Sequence, residues 1–222
     1  MPLNIAIDGP VGAGKSSIAS AVAAKLGILH LDTGAMYRAI GLTAIRKGID
    51  LRNEQAVTAH CNEVDLKVLY GENGQITMAD GEDVTGLLRT EEVSMAASTV
   101  SKYAGVRKAM VAIQQKLARE TDMLLDGRDI GTVVLPNATA KIFLNATPEE
   151  RAQRRFLELQ KKGTTDTYEQ VLEDLKRRDD QDMNREVDPL RCAEDATELD
   201  TTHMSFDEVV DAILNIVKEA RV

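Results

Sequence analysis

The sequence predicts an α/β fold in which a parallel sheet is flanked by helices and carries a smaller inserted subdomain. Two observations lead to this prediction. Short apolar runs alternate with helical stretches along the first part of the chain, and the same alternation returns after about residue 100. Between these parts, a segment in which apolar and polar residues alternate is typical of an antiparallel hairpin.

The opening part of the chain predicts two strand–helix units. The first strand ends at Asp8, just before a glycine-rich turn, and Gly48 closes the second helix. In order, the predicted elements are Leu3–Ile7, Ser16–Leu26, Ile28–Leu31 and Ala35–Lys47. This order of strand, helix, strand and helix implies that the strands are parallel.

The middle segment, about residues 61–99, predicts a small antiparallel hairpin. Apolar side chains alternate with polar ones over 66–70 and again over 76–78. A period of two places alternate side chains on one face of a strand. Gly71–Gly74 separates the two runs and predicts the turn between them.

The second part of the chain returns to helices and buried strands. A helix is indicated over Val106–Arg119. Continuous apolar runs at Met123–Leu125, ending at Asp126, and at Lys141–Leu144 are typical of strands buried on both faces.

Capping signals mark the starts of three later helices. Pro148 occupies the first position of one of them, where its missing N–H costs nothing. The residues that form the predicted caps are Thr147 with Glu150, Thr167 with Gln170, and Ser205 with Glu208. The last helix has an apolar stripe at Val209, Val210, Ile213, Leu214 and Val217.

The length of 222 residues and a hydrophobic content of 43% predict one domain with inserted subregions. The predicted core covers about 1–60, 100–150 and 168–222, the insertion about 61–99, and a helical lid about 151–167. We expect this single domain to be a monomer.

The net charge of −9 argues against a nucleic-acid polymer or a membrane surface as partner, because both are polyanions that attract a basic face. No stretch approaches the roughly 18 apolar residues of a membrane span, and the N-terminal residues do not resemble a signal peptide. A cytoplasmic location is therefore expected. Cys61 and Cys192 have no metal-ligand spacing and are interpreted as ordinary thiols.

A glycine-rich segment follows the first strand and opens the first helix. It fits the pattern GxxxxGK[ST] in the structural context that this pattern requires. Glycines let backbone N–H groups wrap a β-phosphate, and the helix N-terminus adds its dipole. Lys15 then reaches the β- and γ-phosphates, and Ser16 offers a hydroxyl to Mg²⁺. The predicted nucleotide-binding residues are Gly9, Pro10, Val11, Gly12, Ala13, Gly14, Lys15, Ser16 and Ser17.

This segment predicts a P-loop NTPase fold that binds ATP and Mg²⁺. The alternative is a glycine-rich turn whose lysine faces solvent. A P-loop also occurs in GTPases and motor ATPases, so the motif does not identify the reaction. The guanine-reading tetrapeptide Asn-Lys-x-Asp does not occur in the sequence. The residues around a second substrate must therefore decide the function.

Charged residues follow two of the predicted strands, where an open α/β sheet lines its ligand crevice. DTGAMYR begins at Asp32, and DGRDIGT begins at Asp126. For Asp126 or Asp129 singly, the alternative is an aspartate that caps a turn, but Arg128 between them favours a functional role. Asp8, at the end of the first strand, either organises the loop and magnesium waters or is purely structural.

Two later helices carry arginines at helical spacing. Arg151, Arg154 and Arg155 fall on one face and predict a lid over the ATP phosphates. Arg178, Asp182 and Arg185 also share a face, on which the carboxylate can hold both arginines. The alternative for both stretches is a solvated face with weak ion pairs. The P-loop favours the functional interpretation, because phosphoryl transfer requires converging positive charge.

Six blocks of the sequence together resemble the bacterial-type cytidylate kinase family. These blocks are DGPVGAGKSS, DTGAMYR, VRKAM, DGRDIGTVV, ERAQRR and RRDDQDMNREVDPL, and they follow one another along nearly the whole chain. The resemblance implies an adenylate-kinase-type core whose monophosphate-binding insertion is enlarged. It also implies ATP-dependent phosphorylation of CMP and dCMP in pyrimidine nucleotide metabolism. A small departure is Ser16-Ser17, where Gly-Thr often follows the lysine.

The resemblance also implies roles for individual residues. The implied catalytic residues are Lys15, Arg128, Arg154, Arg155 and Arg185. The acceptor's phosphate would be held by Arg38 and Arg128. Its cytosine would be surrounded by Thr33, Ser98, Arg107 and Asp129. Its ribose would meet Arg178 and Asp182, and Arg185 would reach the nucleotide.

These implied roles predict a preference for cytosine over uracil. Cytosine offers a donor at its 4-amino group and acceptors at N3 and O2, which suit a carboxylate such as Asp129 and a guanidinium such as Arg107. Uracil reverses two of these positions, so a buried carboxylate would face a carbonyl oxygen. Two alternatives stay open: a kinase for UMP, AMP or shikimate, and a regulatory protein that hydrolyses ATP slowly to change its shape.

Overall fold

The computed structural model describes residues 2–72, 74–161, 163 and 165–221. Two compact units make up the chain. Unit 1 contains Leu29–Met123, and unit 2 combines Leu3–Ile28 with Leu124–Val222. Along the chain, unit 1 therefore interrupts unit 2.

Unit 1 begins with a strand and a helix and then carries a small antiparallel sheet among further helices. A short 3-10 turn at Thr85–Leu87 follows the small sheet. In chain order, the elements of unit 1 are β2 (Leu29–Asp32), α2 (Thr33–Arg46), α3 (Glu54–Glu63), β3 (Leu66–Gly71), β4 (Gly74–Ala79), β5 (Glu82–Asp83), α4 (Glu91–Val100) and α5 (Ala104–Glu120).

The small sheet confirms the predicted hairpin. β3 pairs antiparallel with β4 from Leu66 opposite Ala79 to Gly71 opposite Gly74. A third strand, β5, pairs with β4 and was not predicted. The predicted turn Gly71–Gly74 includes residue 73, which lies outside the described residues.

Unit 2 contains a parallel sheet flanked by helices. Its elements are β1 (Asn4–Asp8), α1 (Lys15–Leu26), β6 (Met123–Gly127, apart from its first residue), β7 (Ala140–Asn145), α6 (Pro148–Lys161), α7 (Tyr168–Asn184), β8 (Thr197–Asp200) and α8 (Phe206–Glu219). The larger sheet of the protein has five strands, and those of unit 2 follow the order β6-β1-β7-β8. A π turn at Ile130–Val134 follows β6.

Strand β7 lies at the centre of the pairings in unit 2. It runs parallel to β1, with Ile7 opposite Ile142 and Asp8 opposite Phe143. It also runs parallel to β8. The predicted α/β fold with a parallel sheet is therefore confirmed, and the carboxyl ends of these strands lie at one edge of the sheet.

The core of unit 2 packs one face of this sheet against helices α1 and α8. Ile5, Ile7 and Leu144 are fully buried and contact the apolar faces of the two helices. In α8, the predicted stripe is confirmed, because Val209, Val210, Ile213 and Val217 are buried in the same cluster. None of the described helices combines the length and apolar character needed to cross a bilayer.

Two of the three predicted capping boxes form completely. Thr167 with Gln170 and Ser205 with Glu208 each show both reciprocal hydrogen bonds. At α6, only half of the predicted box forms. The Thr147 hydroxyl accepts the N–H of Glu150, but the Glu150 carboxylate binds Arg154 at 2.9 Å instead of returning to the cap. The prediction for Glu150 was wrong because an arginine one turn away offers a full charge.

Candidate active site

The backbone of the phosphate loop requires glycine at specific positions. Gly9, Gly12 and Gly14 have φ angles of +150°, +76° and +80°. A Cβ atom on Gly9 would lie 2.0 Å from the carbonyl oxygen of Leu144, a distance that no side chain can occupy. Gly14 precedes α1 in the left-handed region and provides no side-chain cap. The first N–H groups of α1 therefore remain available to an anion.

Lys15 begins α1 and lies back along the loop. Its Nζ donates to the carbonyl oxygens of Gly9 at 2.8 Å and Pro10 at 2.7 Å. Burial, and then the charge of the nearby Arg128, lower the pKa of this lysine to about 7. An anionic ligand at the loop would restore the charged form. Ser17, the last residue of the predicted segment, is exposed.

Ser16 points to the end of strand β6. Its hydroxyl donates to Asp126 Oδ2 at 2.8 Å, and the Asp126 side chain is buried. Mg²⁺ prefers hard oxygen ligands, and in P-loop proteins a serine hydroxyl and a strand-end aspartate supply them. In the described part of the chain, no group of three or more His, Cys, Asp or Glu side chains could hold a metal by itself. A magnesium ion here would therefore need phosphate oxygens and waters as well.

Asp8 supports the turn that follows β6. Its two carboxylate oxygens accept the N–H groups of Ile130 at 2.8 Å and Gly131 at 2.7 Å. Burial raises the pKa of Asp8 to about 6, although these two hydrogen bonds oppose the shift. Asp8 thus positions the backbone that follows Asp129.

A network of charged side chains lies beside this turn. Arg128 donates through Nε to Asp182 at 2.7 Å, and Arg185 lies 3.4 Å from Asp129 and 3.9 Å from Asp182. Burial alone would lower the pKa of Arg128, but the surrounding carboxylates, Asp182 first, raise it. Burial alone would raise the pKa of Asp182, but Arg128 lowers it overall. The pair stays charged on both sides.

The structure changes the predicted partnership along α7. The sequence indicated that Asp182 holds Arg178 and Arg185 on one helical face. Instead, the nearest partner of Asp182 is Arg128, which comes from the end of β6, and Arg185 lies one residue beyond the helix. Arg178 lies 3.9 Å from Asp174, and burial followed by the proximity of Arg128 lowers its pKa. Four of the predicted residues nevertheless form one cluster.

Within unit 1, Arg38 is oriented by Asp32. Its Nη2 lies 2.6 Å from Asp32 Oδ2, while Asp32 Oδ1 caps α2 by accepting the N–H of Ala35. Gln75 of β4 holds the backbone of Asp32 from the other side, accepting its N–H at 2.7 Å and donating to its carbonyl at 3.4 Å. Among the described residues, the buried Nε of Arg38 has no hydrogen-bond partner. Arg38 therefore retains a donor for a ligand.

The other predicted base-binding residues of unit 1 occupy helices α2, α4 and α5. Thr33 and Arg107 are buried, and Ser98 is half-buried. Arg107 donates to the carbonyl oxygen of Ser101 at 3.3 Å, and its guanidinium lies 5.8 Å from the centre of the Tyr37 ring. A buried arginine held in this way presents a fixed donor array.

The three arginines of α6 lie in different environments, although their spacing predicts that they share one helical face. Arg151 is buried and pairs with Asp179 at 2.6 Å. Arg154 donates to the carbonyl oxygen of Thr201 at 2.7 Å, and Arg155 pairs with Glu158 on the same helix at 2.8 Å. Their predicted contact with ATP phosphates stays a prediction. The predicted lid, 151–167, includes residues 162 and 164, which lie outside the described residues.

Comparison with known proteins identifies the family. The family model for cytidylate kinase matches residues 5–219. A cytidylate kinase from Caldicellulosiruptor bescii is 50% identical over 214 residues, which cover 96% of this chain and 95% of the relative. A cytidylate kinase from Bacillus licheniformis is 52% identical over 217 residues, covering 97% and 96%. The chain belongs to the cytidylate kinase family.

The solved structure of a gluconokinase from Sinorhizobium meliloti shows the same fold as this cytidylate kinase family member. The TM-score is 0.51 at 12% identity, over 98% of this chain and 93% of the gluconokinase. At this identity the likeness supports the P-loop kinase architecture alone.

Sequence reasoning about this cytidylate kinase family member missed three supporting residues. Asp126 was noticed at a strand end but not paired with Ser16. Asp179 was assigned no role from the sequence, although its Oδ1 accepts the N–H of Val11 at 3.0 Å. Gln75 gave no signal, because a glutamine in a hairpin strand is ordinary. Of these three residues, only Asp126 has a signal in the sequence, which is the buried apolar run before it.

Proposed function

We propose that the protein transfers the γ-phosphoryl group of ATP to CMP and dCMP, giving ADP and CDP or dCDP, with Mg²⁺ as cofactor. The observation that carries this proposal is the Ser16–Asp126 oxygen pair, 2.8 Å apart, beside a phosphate loop whose backbone angles require glycine at Gly9, Gly12 and Gly14. Membership in the cytidylate kinase family supports a cytidine monophosphate as the acceptor.

In this reaction an anionic phosphate oxygen of CMP attacks the γ-phosphorus of ATP. The bond from that phosphorus to the β–γ bridging oxygen breaks, and the bridging oxygen leaves with ADP. No side chain has to remove a proton, because the attacking oxygen is already anionic at neutral pH. The work left to the protein is to align the two phosphates and to neutralise the charge that the transition state spreads over the γ-oxygens.

Lys15 and the arginine cluster would supply this neutralisation. Lys15 would exchange the carbonyl oxygens of Gly9 and Pro10 for β- and γ-phosphate oxygens, which restore its charge. Arg128 would contact the acceptor phosphate while Asp182 keeps it charged and oriented. Arg185 would act beside it. Arg154 and Arg155 complete the proposed catalytic set if α6 closes on the nucleotide.

The Ser16 hydroxyl and the Asp126 carboxylate would hold Mg²⁺ directly or through a water. Mg²⁺ held by these two groups would supply positive charge beside the phosphates of ATP. Both oxygen groups belong to unit 2 and follow strand ends or the loop, so backbone geometry positions them before any ligand arrives.

The preference for cytosine would come from buried polar groups. Asp129 is buried, and its carboxylate would accept the 4-amino group of cytosine. Arg107 would donate to the acceptors of the base, while Thr33 and Ser98 would complete its surroundings. Arg38 would hold the acceptor phosphate through its remaining donors, and Arg178 and Asp182 would meet the ribose. A uracil carbonyl opposite Asp129 would meet repulsion, which predicts a penalty of about a hundredfold or more.

A panel of acceptors with coupled detection of ADP tests the proposal. CMP and dCMP are expected to give turnover, and UMP, AMP and shikimate far less. Equal rates with CMP and UMP would remove the specificity argument. ADP formation at the same rate without any acceptor would identify a regulatory ATPase instead. A monomeric state and a cytoplasmic location belong to the same proposal, and light scattering under assay conditions tests the first.

A further inference from the structure

A buried ion pair binds the backbone N–H and carbonyl groups of one residue of the phosphate loop. Arg151 of α6 and Asp179 of α7 lie 2.6 Å apart, with side chains only 4% and 7% exposed. Asp179 Oδ1 accepts the N–H of Val11 at 3.0 Å, and Arg151 Nη1 donates to the carbonyl oxygen of Val11 at 2.8 Å. Both polar groups of a residue in the middle of the loop are thus held by one acid and one base.

The same residue is also held by apolar packing. The Val11 side chain is buried with Ala152 of α6 and with Val171 and Leu175 of α7. The loop approaches these helices closely, since a Cβ atom on Gly12 would lie 3.4 Å from the carbonyl oxygen of Arg151. Arg151 is itself anchored at the end of β7, where its Nε donates to the carbonyl oxygen of Ala146 at 2.9 Å.

These contacts determine where the loop N–H groups point. The peptide plane before Val11 is bound through its N–H and the plane after Val11 through its carbonyl, so neither plane can rotate without breaking a charge-assisted hydrogen bond. The next N–H groups along the loop are those that wrap the phosphates in a P-loop. The charge of the pair is not needed for stability as such, because apolar residues of similar volume often replace a buried ion pair without loss.

We propose that Arg151 and Asp179 are positioning residues for the phosphates of ATP, acting through the backbone of Val11. The inference rests on the proposed function, because it takes ATP as the ligand of the loop. It gives Arg151 a different role from the lid contact that its helical spacing predicted. Perturbing the pair affects the nucleotide side of the reaction and leaves the acceptor side unchanged.

The first test compares Asp179→Asn with the wild type. The asparagine keeps one oxygen but turns an NH₂ group toward either Arg151 or the Val11 N–H. The KM for ATP is expected to rise about tenfold or more, the effect of a lost charge-assisted hydrogen bond, while the KM for CMP stays within about twofold. Equal rises in both constants, or no change in either, would overturn the proposal.

The matched control is the pair Glu149–Lys176, which bridges the same two helices at 3.4 Å but is exposed and does not touch the loop. Glu149→Gln with Lys176→Met should leave both KM values unchanged. A rise in the KM for ATP as large as that of Asp179→Asn would show that any link between α6 and α7 suffices, and the specific role would be lost.

A second variant separates positioning from folding. Arg151→Met with Asp179→Leu replaces the ion pair by apolar side chains, and its melting temperature is expected to equal or exceed that of Asp179→Asn. The KM for ATP should nevertheless remain raised, because neither new side chain binds the Val11 peptide. A double variant with the KM of the wild type would assign the pair a purely structural role.

Two further measurements test the proposal without an activity assay of any variant. In the wild type without nucleotide, the Val11 amide should exchange slowly with deuterium, and rapid exchange would contradict the bound geometry. Calorimetric titration with AMP-PNP, a non-hydrolysable ATP analogue, should show the same loss of affinity in Asp179→Asn without any acceptor. Failure of the wild type to phosphorylate CMP would refute the proposed function, and this titration would still test the pair.

Discussion

Removal of Gln75 tests whether the inserted hairpin positions Arg38, the arginine proposed to bind the acceptor. Gln75 accepts the Asp32 N–H at 2.7 Å and donates to the Asp32 carbonyl at 3.4 Å. Asp32 in turn holds Arg38 at 2.6 Å. In Gln75→Ala the half-buried Asp32 N–H loses its partner, and Arg38 loses the fixed orientation of its carboxylate.

The size of the effect follows from the contacts that are lost. A buried N–H left without a partner costs about 1–2 kcal/mol. If this cost appears entirely in the binding of the acceptor, the KM for CMP rises about 5- to 30-fold. If it appears entirely in folding, the melting temperature falls by about 2–8 °C and the KM is unchanged.

The assay varies CMP at saturating ATP, and then ATP at saturating CMP, with coupled detection of ADP. We expect the KM for CMP to rise and the KM for ATP to stay constant, which is the reverse of the pattern expected for Asp179→Asn. Glu82→Gln is the matched control, since Glu82 links β5 to Arg46 of α2 at 2.6 Å on an exposed surface. Such a pair contributes about 0–1 kcal/mol. A KM for CMP within twofold of the wild type in Gln75→Ala would refute the reasoning.

Two other predictions concern the carboxylates of unit 2. Asp126→Asn should raise the Mg²⁺ concentration needed for half-maximal activity about tenfold. The control is Asp211→Asn, which removes an exposed ion pair on α8 and should leave this concentration unchanged. An unchanged Mg²⁺ dependence in Asp126→Asn would exclude Asp126 from the proposed metal site. Arg128 lowers the pKa of Asp182 in the folded protein. The ion pair therefore stabilises the fold fully above pH 3.8, which is the ordinary pKa of the carboxyl group. This stabilisation is lost as the pH falls through the lower pKa of the folded state. The difference in melting temperature between wild type and Asp182→Asn should therefore shrink below about pH 4, and a constant difference would contradict this.

The parts of the site that the sequence predicted are those built from adjacent residues. The phosphate loop is one such part, because Gly9, Gly12 and Gly14 adopt backbone angles that other residues rarely tolerate. The complete capping boxes at Thr167 and Ser205 are another, because cap and partner lie three residues apart. The apolar stripe of α8 is a third, since helical periodicity alone places it on one face.

The pairings between distant segments could not be predicted in this way. Ser16 meets Asp126 across 110 residues of chain, and Val11 meets Asp179 across 168. Glu150 and Arg151 show the same limit within one helix. Their spacing suggested a cap and a lid contact, but Glu150 binds Arg154, and Arg151 turns into the interior to bind Asp179.

The chain by itself determined the local geometry of this protein: which segments are strands and helices, where the loop must contain glycine, and which family the ordered blocks resemble. The tertiary structure decided which charged groups meet. The physical reason is that backbone angles and periodicity are properties of neighbouring residues, whereas the partner of a charged side chain depends on which distant element the fold brings within a few ångströms. Burial then strengthens that one pairing over the alternatives along the helix.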